Sequence, residues 1–255
     1  MSRVLGRLGR RLVPRRWRRS ARLEERLLAA TGRRVIAGPF AGLAYVEKSF
    51  GSAYWPKLLG TYELELQGAL EEMLTEGFDR VLVAGAGEGY YAVGLAHRLP
   101  NATVIAWEAN PEARAAIVEL ARRNSVDARI EVRGICDARE LNGALAGLRR
   151  ALLLVDLDGG EVGLLDPEVV PGLLSVSLLV EVHDCFVTGL SDRLRERFDT
   201  SHEISFLAAR ARRGSDAPPL ALPGVFSGAL LQLLSENRPP GNDWLAMRPR
   251  NGSGA

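Results

Sequence analysis

Residues 81–96 read VLVAGAGEGYYAVGLA, a β-type apolar run, then glycines at 85, 87 and 89, then apolar residues at helical spacing. A strand that breaks into glycines and hands over to a helix brings bare backbone to the end of a sheet. Without a Cβ the chain takes left-handed turns there, and a ligand can approach the main chain closely. Whether similar strand and helix units repeat around this one decides the fold.

They do repeat. TVIAWE (103–108) leads to a helix beginning NPEARAA (110–116), and RIEVRG (129–134) leads to a short helical stretch. ALLLVD (151–156) leads to a helix expected to begin at DPEVV (166–170), and LLVEVHD (178–184) to one near Ser191–Phe198. EISFLAA (203–209) ends the alternation, and after a loop over 214–224 a helix (225–237) and a last short strand, DWLAMRP (243–249), follow. Asn110 and Asp166 are candidate caps, each followed by proline at the first helical position and then by glutamate at the positive end of the dipole. Four or five apolar strands separated by helices predict an α/β, doubly wound, mostly parallel sheet.

Upstream, Val35–Val46 reads as a small hairpin around Gly38, Pro39 and Gly42, and SFGSAYWPKLLG (49–60) as a loop. Thr61 to Glu76 reads as a helix stopped by Gly77. The loop's Tyr54, Trp55 and Lys57, with Tyr62 and Glu63 beyond it, either fold over a ligand as a lid or simply pack.

The 255 residues are 47% hydrophobic and 25% charged, enough for one sizeable core and ordinary for a soluble protein. No apolar run is long enough to span a bilayer and no secretory h-region opens the chain, so the expected location is cytoplasmic. Cys136 and Cys185 lie in apolar strand-like contexts without metal-ligand spacing and read as reduced, buried thiols. The net charge of +2 conceals two unlike parts: residues 1–22 hold nine of the 33 basic residues and no acid, leaving 24 against 31 acids, net −7, in the body. Positive charge gathered in a tail argues against a nucleic-acid partner. Leu5, Leu8 and Leu12 among the arginines could rest on an anionic membrane or a partner, whereas Gly6, Gly9 and Pro14 favour a mobile extension; the composition also suits a transit peptide, though one poor in serine. The domain reading is an arginine-rich extension (1–30), a cover with a lead-in helix (31–78), a main domain (79–249) and an unstructured tail (250–255).

The glycine turn leaves two ligand classes open. In the dinucleotide fingerprint G-x-G-x-x-G/A the third small residue falls on Tyr90, and a phenol there opposes tight helix–strand packing. The pattern present, G-x-G-x-G, resembles that of S-adenosylmethionine (SAM)-dependent methyltransferases. Glu108, 23 residues past Gly85, is placed to accept hydrogen bonds from both ribose hydroxyls in either class of site. Asp137, past the third strand, is placed either to receive an adenine amino group or to sit in solvent.

GAGEGYYAVGLAHRLP, VIAWEANPEAR, LLLVDLDGGEVGLLDP and LVEVHD, in this order, resemble the FkbM-like group of class I methyltransferases over about residues 35–208. The resemblance implies the seven-stranded, Rossmann-like class I methyltransferase sheet, SAM as methyl donor, and an oxygen acceptor on a small molecule or glycan. Expected cofactor contacts are Gly85, Gly87, Glu88 and Gly89 of the turn with Glu108, Asp137 and Asp156. Two departures stand out: Val83 replaces the usual acid two positions before the first glycine, and the usual D-x-E-G-x-E run reads Asp156, Leu157, Asp158, Gly159, Gly160, Glu161.

Methyl transfer to an alcohol needs positioning and a base near the hydroxyl. Candidates cluster at the ends of the fourth and fifth strands: Asp156, Asp158 and Glu161 on one, Glu181, His183 and Asp184 on the other. Of the three histidines only His183 lies at a sheet end; it reads as general base or substrate contact, or as a loop histidine held by Asp184 or Glu181. His97 and His202 read as structural or solvated. The expected catalytic set is His183, Asp156 and Asp184. Asp156 and Asp184 are also candidate ligands for a divalent ion, although a role in holding the methionine amino group is favoured. No Asp-Pro-Pro-Tyr run or Pro-Cys nucleophile is present, which sets base methylation aside. The competing functions are a nicotinamide-dependent oxidoreductase and a non-catalytic module that keeps SAM as a structural ligand.

Overall fold

The computed structural model describes residues 15–219 and 227–250, without the side chains of 15–21 and 227. The expected membrane-facing leucines, the tail after Arg250 and residues 220–226 of the late loop lie outside the described residues. No helix among the described residues is long and apolar enough to cross a membrane.

Seven strands form one sheet: β1 (Arg80–Ala84), β2 (Thr103–Trp107), β3 (Ile130–Arg133), β4 (Ala151–Val155), β5 (Ser177–His183), β6 (His202–Leu207) and β7 (Asn242–Pro249), in the order β3-β2-β1-β4-β5-β7-β6. Strands β1 to β5 pair in parallel, and β7 runs antiparallel between β5 and β6. The fold is α/β and doubly wound, a Rossmann-like and mostly parallel seven-stranded sheet, as expected. The chain leaves β1 toward β2 and later returns to β4 on the other side of β1, so the carboxyl ends of β1 and β4 flank the crevice where such sheets bind ligands.

Alternation within β1 explains the two layers of helix. Val81 and Val83 face one core with Leu66, Leu70 and Met73 of α3 (Leu64–Leu74), Val93 of α4 (Tyr90–Arg98) and Ile117 and Leu120 of α5 (Pro111–Arg123). Leu82 and Ala84 face the other, with Leu141 and Leu145 of α6 (Ala138–Leu145) and Leu190, Leu194 and Phe198 of α8 (Leu190–Phe198). Asn110 caps α5 as expected, its side chain accepting from the Glu112 N–H at 2.9 Å.

The N-terminal cover docks on the first core. Hydrogen bonds at an Arg34–Ala44 bridge form the expected hairpin, and Asn124 of the α5 end grips Ala44 through both its amide groups, at 2.8 and 2.9 Å. Phe40 lies flat against α4, where a Cβ on Gly94 would meet its ring at 2.6 Å.

Several local expectations are corrected. The segment 49–60 is not loop throughout: it carries α2 (Tyr54–Leu59), whose Leu58 and Leu59 are buried. The arginine-rich extension is helical where it is described, as α1 (Arg15–Thr31), and Leu23 and Leu27 pack on Leu59, Leu233 and Leu234. Leu233 and Leu234 belong to a helix near the carboxyl end, α9 (Ser227–Leu234). No helix starts at Asp166, whose side chain accepts from the Glu168 N–H in a turn. The cause is Pro171, which keeps Val170 out of helical geometry (φ −125°, ψ 74°), so the crossover has only a single turn, α7 (Glu161–Leu164), and a 3-10 turn at Pro171–Ser175. Cys185 is exposed and Cys136 half-buried, because both lie just past strand ends.

Candidate active site

A cavity of about 490 Å³ opens at the carboxyl ends of β1, β2, β4 and β5 and extends beneath the cover. Its two sides are made of different materials.

On the β1–β2 side the wall is mostly backbone. The N–H groups of Gly85 and Ala86 donate to the Trp107 carbonyl at 3.0 and 2.9 Å, turning the chain sharply out of β1. Gly85 has φ +82°, and a Cβ there would lie 1.6 Å from the Asp156 carbonyl oxygen, so two strand ends meet at a place only glycine can occupy. Glu108 accepts from the Gly87 N–H and the Asn110 N–H, each at 2.8 Å, which fixes its carboxylate against the turn at the cavity edge. Each oxygen keeps a lone pair for a ligand hydroxyl. Trp107, Ala109 and Gly134–Cys136 complete this side.

Four residues are used elsewhere: Glu88, Gly89 and Asp137, expected as cofactor contacts, and Asp184, expected in the catalytic set. Glu88 is completely buried and does not line the cavity: it accepts from Lys57 Nζ (2.6 Å), the Tyr45 hydroxyl (2.5 Å) and the Phe50 N–H (2.9 Å), pinning the cover to the turn. Burial pushes the Glu88 carboxyl up, but Lys57 and these donors outweigh it and hold the carboxyl below its ordinary value. Gly89 packs on Ile117 and Val93. Asp137 caps α6 by accepting from the Glu140 N–H at 2.8 Å, and Asp184 accepts from the Ser191 N–H at 3.2 Å at the start of α8. None of the four lines the cavity, so neither the three cofactor contacts nor the catalytic place of Asp184 is found there. Helix ends offer unpaired N–H groups that short acids satisfy readily, and a sequence does not distinguish that use from ligand binding.

On the β4–β5 side the wall is side chains. His183, 1% exposed, bonds Glu161 Oε1 through Nδ1 at 2.8 Å. Glu161 also accepts from the Leu157 and Gly159 N–H groups, at 3.1 and 3.3 Å, so it acts as a carboxylate. An acceptor-only carboxylate requires the proton on Nδ1, which leaves Nε2 as the free nitrogen. Nε2 lies 3.6 Å from Asp156, 3.7 Å from Asp158 and 3.7 Å from Glu181. Burial pulls the imidazolium pKa down, but Glu161, Glu181 and Asp158 raise it further, and the net shift is upward. The partner moves correspondingly: burial raises Glu161, and the bond to His183 leads the contributions that lower it overall. Burial and Glu181 raise the Asp156 carboxyl well above the usual range. Phe186 stacks on the His183 ring at 5.7 Å. Ligand atoms of Asp156, Asp158 and His183 lie within 4.8 Å of one another, the one group of this kind among the described residues.

Behind this wall is an ionic network that the sequence reading missed in part. Arg212 bonds Glu65 (2.8 Å) and Glu236 (2.5 Å), Arg238 bonds Glu65 (2.8 Å) and Glu181, and Tyr91 donates to Glu63. Burial, with Glu181 next, pushes the Glu63 carboxyl up to about 8. Glu236 and Arg238 line the cavity; the helix expected over 225–237 ends at Leu234, so Glu236 lies beyond it, and Arg238 carries no expected role in the sequence.

No family model matches the chain, and no curated protein matches it. Solved structures do. A candidate O-methyltransferase from Klebsiella pneumoniae is 13% identical, with a TM-score of 0.48 and 88% of each chain covered. The O-methyltransferase TomG of Streptomyces achromogenes, solved with SAM, is 14% identical over 72% of this chain and 79% of its own, TM-score 0.48. An O-methyltransferase from Bacillus cereus in complex with SAH is 14% identical over 71% of this chain and 79% of its own, TM-score 0.46. Likeness at this level assigns no activity to the chain.

Proposed function

We propose that the chain is a SAM-dependent methyltransferase acting on a hydroxyl of a small molecule or glycan. The observation that carries this reading is the oriented His183–Glu161 pair, whose imidazole lines a cavity with a glycine turn and a strand-end carboxylate on its opposite wall. The residues fit an adenosyl group: Gly85, Ala86 and Gly87 line the cavity with small residues, and Glu108 retains acceptor capacity for ribose hydroxyls. Tyr90, buried under Phe40 and Tyr62, fills the place a dinucleotide-binding helix would keep small, which disfavours a nicotinamide enzyme. A purely structural cofactor module would have no use for a buried histidine held in one tautomer by a dedicated carboxylate.

When bound, SAM supplies an electrophilic methyl group on a sulfonium. The chain's part is to hold the acceptor oxygen in line and take its proton. His183 Nε2 accepts the hydroxyl proton as the oxygen–methyl bond forms, and Glu161 stabilises the imidazolium so produced. Asp158 and Glu181 lie beside that nitrogen and favour the positive charge.

The grouping of Asp156, Asp158 and His183 favours a second reading of the same corner, in which these residues hold a divalent cation and Glu161 orients its imidazole ligand. Calorimetric titration with S-adenosylhomocysteine, followed by transfer of labelled methyl from SAM into extracted metabolites and glycans with and without chelator, tests both. The first reading expects binding, chelator-insensitive labelling, and a His183→Gln enzyme that binds equally but labels about 10²- to 10⁴-fold more slowly. Chelator-sensitive labelling supports the second, and absence of binding at millimolar nucleotide sinks both.

A further inference from the structure

The ionisable groups lining the cavity are unevenly divided: carboxylates from Glu108, Asp156, Asp158, Glu181 and Glu236 face Lys57, His183 and Arg238. The amino-acid end of SAM carries an ammonium, which these acids suit, and a carboxylate, which they repel. Two of the three basic groups are committed. Arg238 donates to Glu65, Glu181 and the Asn242 carbonyl, and His183 is held by Glu161.

Lys57 differs. It extends from α2 of the cover, is 6% exposed, and places Nζ 2.6 Å from Ser52 Oγ and 2.6 Å from Glu88 Oε1. Nζ also stands 4.8 Å from the centre of the Tyr62 ring, and Ser52 and Tyr62 line the cavity as Lys57 does. An ammonium has three N–H donors, and only two have protein acceptors among the described residues. Glu88 follows Gly87 directly, so the Lys57–Glu88 pair ties this cation to the glycine turn, and Lys57 and Gly87 line the same cavity.

We infer that Lys57 holds the carboxylate of the cofactor's amino-acid end, an inference that rests on the SAM reading above. The cover is then part of the nucleotide site as well as a roof over the acceptor. Glu88 has two functions in this arrangement: it fastens the cover and it keeps the Lys57 ammonium in place.

Removing Lys57 alone would leave Glu88 buried without its cation, so the test uses Lys57→Met/Glu88→Gln, which removes both charges together, beside Lys57→Arg, which keeps the cation. Each protein is titrated with S-adenosylhomocysteine and with 5′-methylthioadenosine, which lacks the amino-acid end. The double variant should lose about 10- to 100-fold in affinity for the first ligand and stay within about twofold for the second, with Lys57→Arg intermediate. The wild type should discriminate by a similar factor against decarboxylated S-adenosylhomocysteine, which needs no variant and so survives a folding failure. Equal loss for both nucleosides, unchanged S-adenosylhomocysteine affinity in the double variant, or indifference of the wild type to decarboxylation would overturn the role of Lys57. A wild type that binds methylthioadenosine but shows any of these leaves the nucleotide reading standing, whereas one that binds neither nucleoside ends both.

Discussion

The β1–β2 side of the cavity is bounded by main chain and a single ordered carboxylate, Glu108, while the β4–β5 side is bounded by a crowd of ionisable side chains around one histidine. Backbone shape at a strand end does not change with pH and tolerates little substitution. A cluster of carboxylates is set by its neighbours, and burial moves its protons by large amounts. The first construction suits an invariant part of a ligand, and the second suits chemistry in which a proton moves. Variants on the two sides should therefore fail in different ways.

The largest effect is expected where the two sides touch. Gly85→Ala adds a methyl to a residue at φ +82° and places it within bonding distance of the Asp156 carbonyl, so the ends of β1 and β4 cannot both keep their positions. We expect a loss of about 4 kcal/mol or an unfolded protein, read by urea denaturation. A stable Gly85→Ala protein would mean that the strand ends are not as close as described.

A second pair of variants compares acids twenty residues apart in sequence that part ways in the structure. Glu88→Ala strips a buried lysine of its partner and should cost about 3–5 kcal/mol in stability. Glu108→Ala touches the cavity edge and should cost little stability but about 10- to 100-fold in S-adenosylhomocysteine affinity. If both variants showed the same profile, the division between cover fastening and ligand contact would be wrong.

Behind the β4–β5 wall, Glu63 keeps its proton to about pH 8 in the folded state, against an ordinary value of 4.5. A raised carboxyl contributes stability that is complete below the unfolded value and is lost as pH climbs through the folded one. Glu63 should therefore erode stability between about pH 4.5 and 8, by at most about 1.4 kcal/mol per pH unit. Glu63→Gln is neutral throughout, so its melting temperature should equal the wild type's near pH 4.5 and exceed it at pH 8.5. A constant offset across that range would rule out the buried proton.

The same contrast sets what could be read from the sequence. The alternation of apolar strands with NPE-type helix starts, and the glycines after β1, are local signals, and they led to the sheet, the turn and Glu108. The place of Asp156 and His183 at the cavity is legible because strand ends are predictable places. Glu88, Asp137 and Asp184 were not, because whether an acid meets a ligand, a lysine or a helix end depends on which segment packs beside it. Glu236 and Arg238 enter the wall from a segment more than fifty residues after His183 in the chain, brought alongside β5 only by the antiparallel insertion of β7. The expected helix at Asp166 failed for a local reason, Pro171, that was visible but outweighed by a well-formed cap.

The smallest effect tests whether the histidine is tuned or merely buried. Burial alone would lower the His183 pKa; the structure instead gives a net increase, with the Glu161 hydrogen bond as the leading opposing influence. Glu161→Gln keeps a hydrogen-bonding side chain of the same size and removes the charge. With three histidines in the chain, the His183 ring resonance can be assigned by substitution and followed by NMR. In the wild type it should titrate above 6.5, and in Glu161→Gln its midpoint should fall, because desolvation then meets less opposition. The sign also fixes the linked stability. A raised histidine stabilises the fold fully below 6.5 and ceases to do so as pH passes the folded value, so Glu161→Gln should lose stability at pH 6 and much less at pH 9. An unchanged midpoint in the variant would show that Asp158 and Glu181 set the charge of His183 without Glu161, and would reduce Glu161 to holding the ring in place.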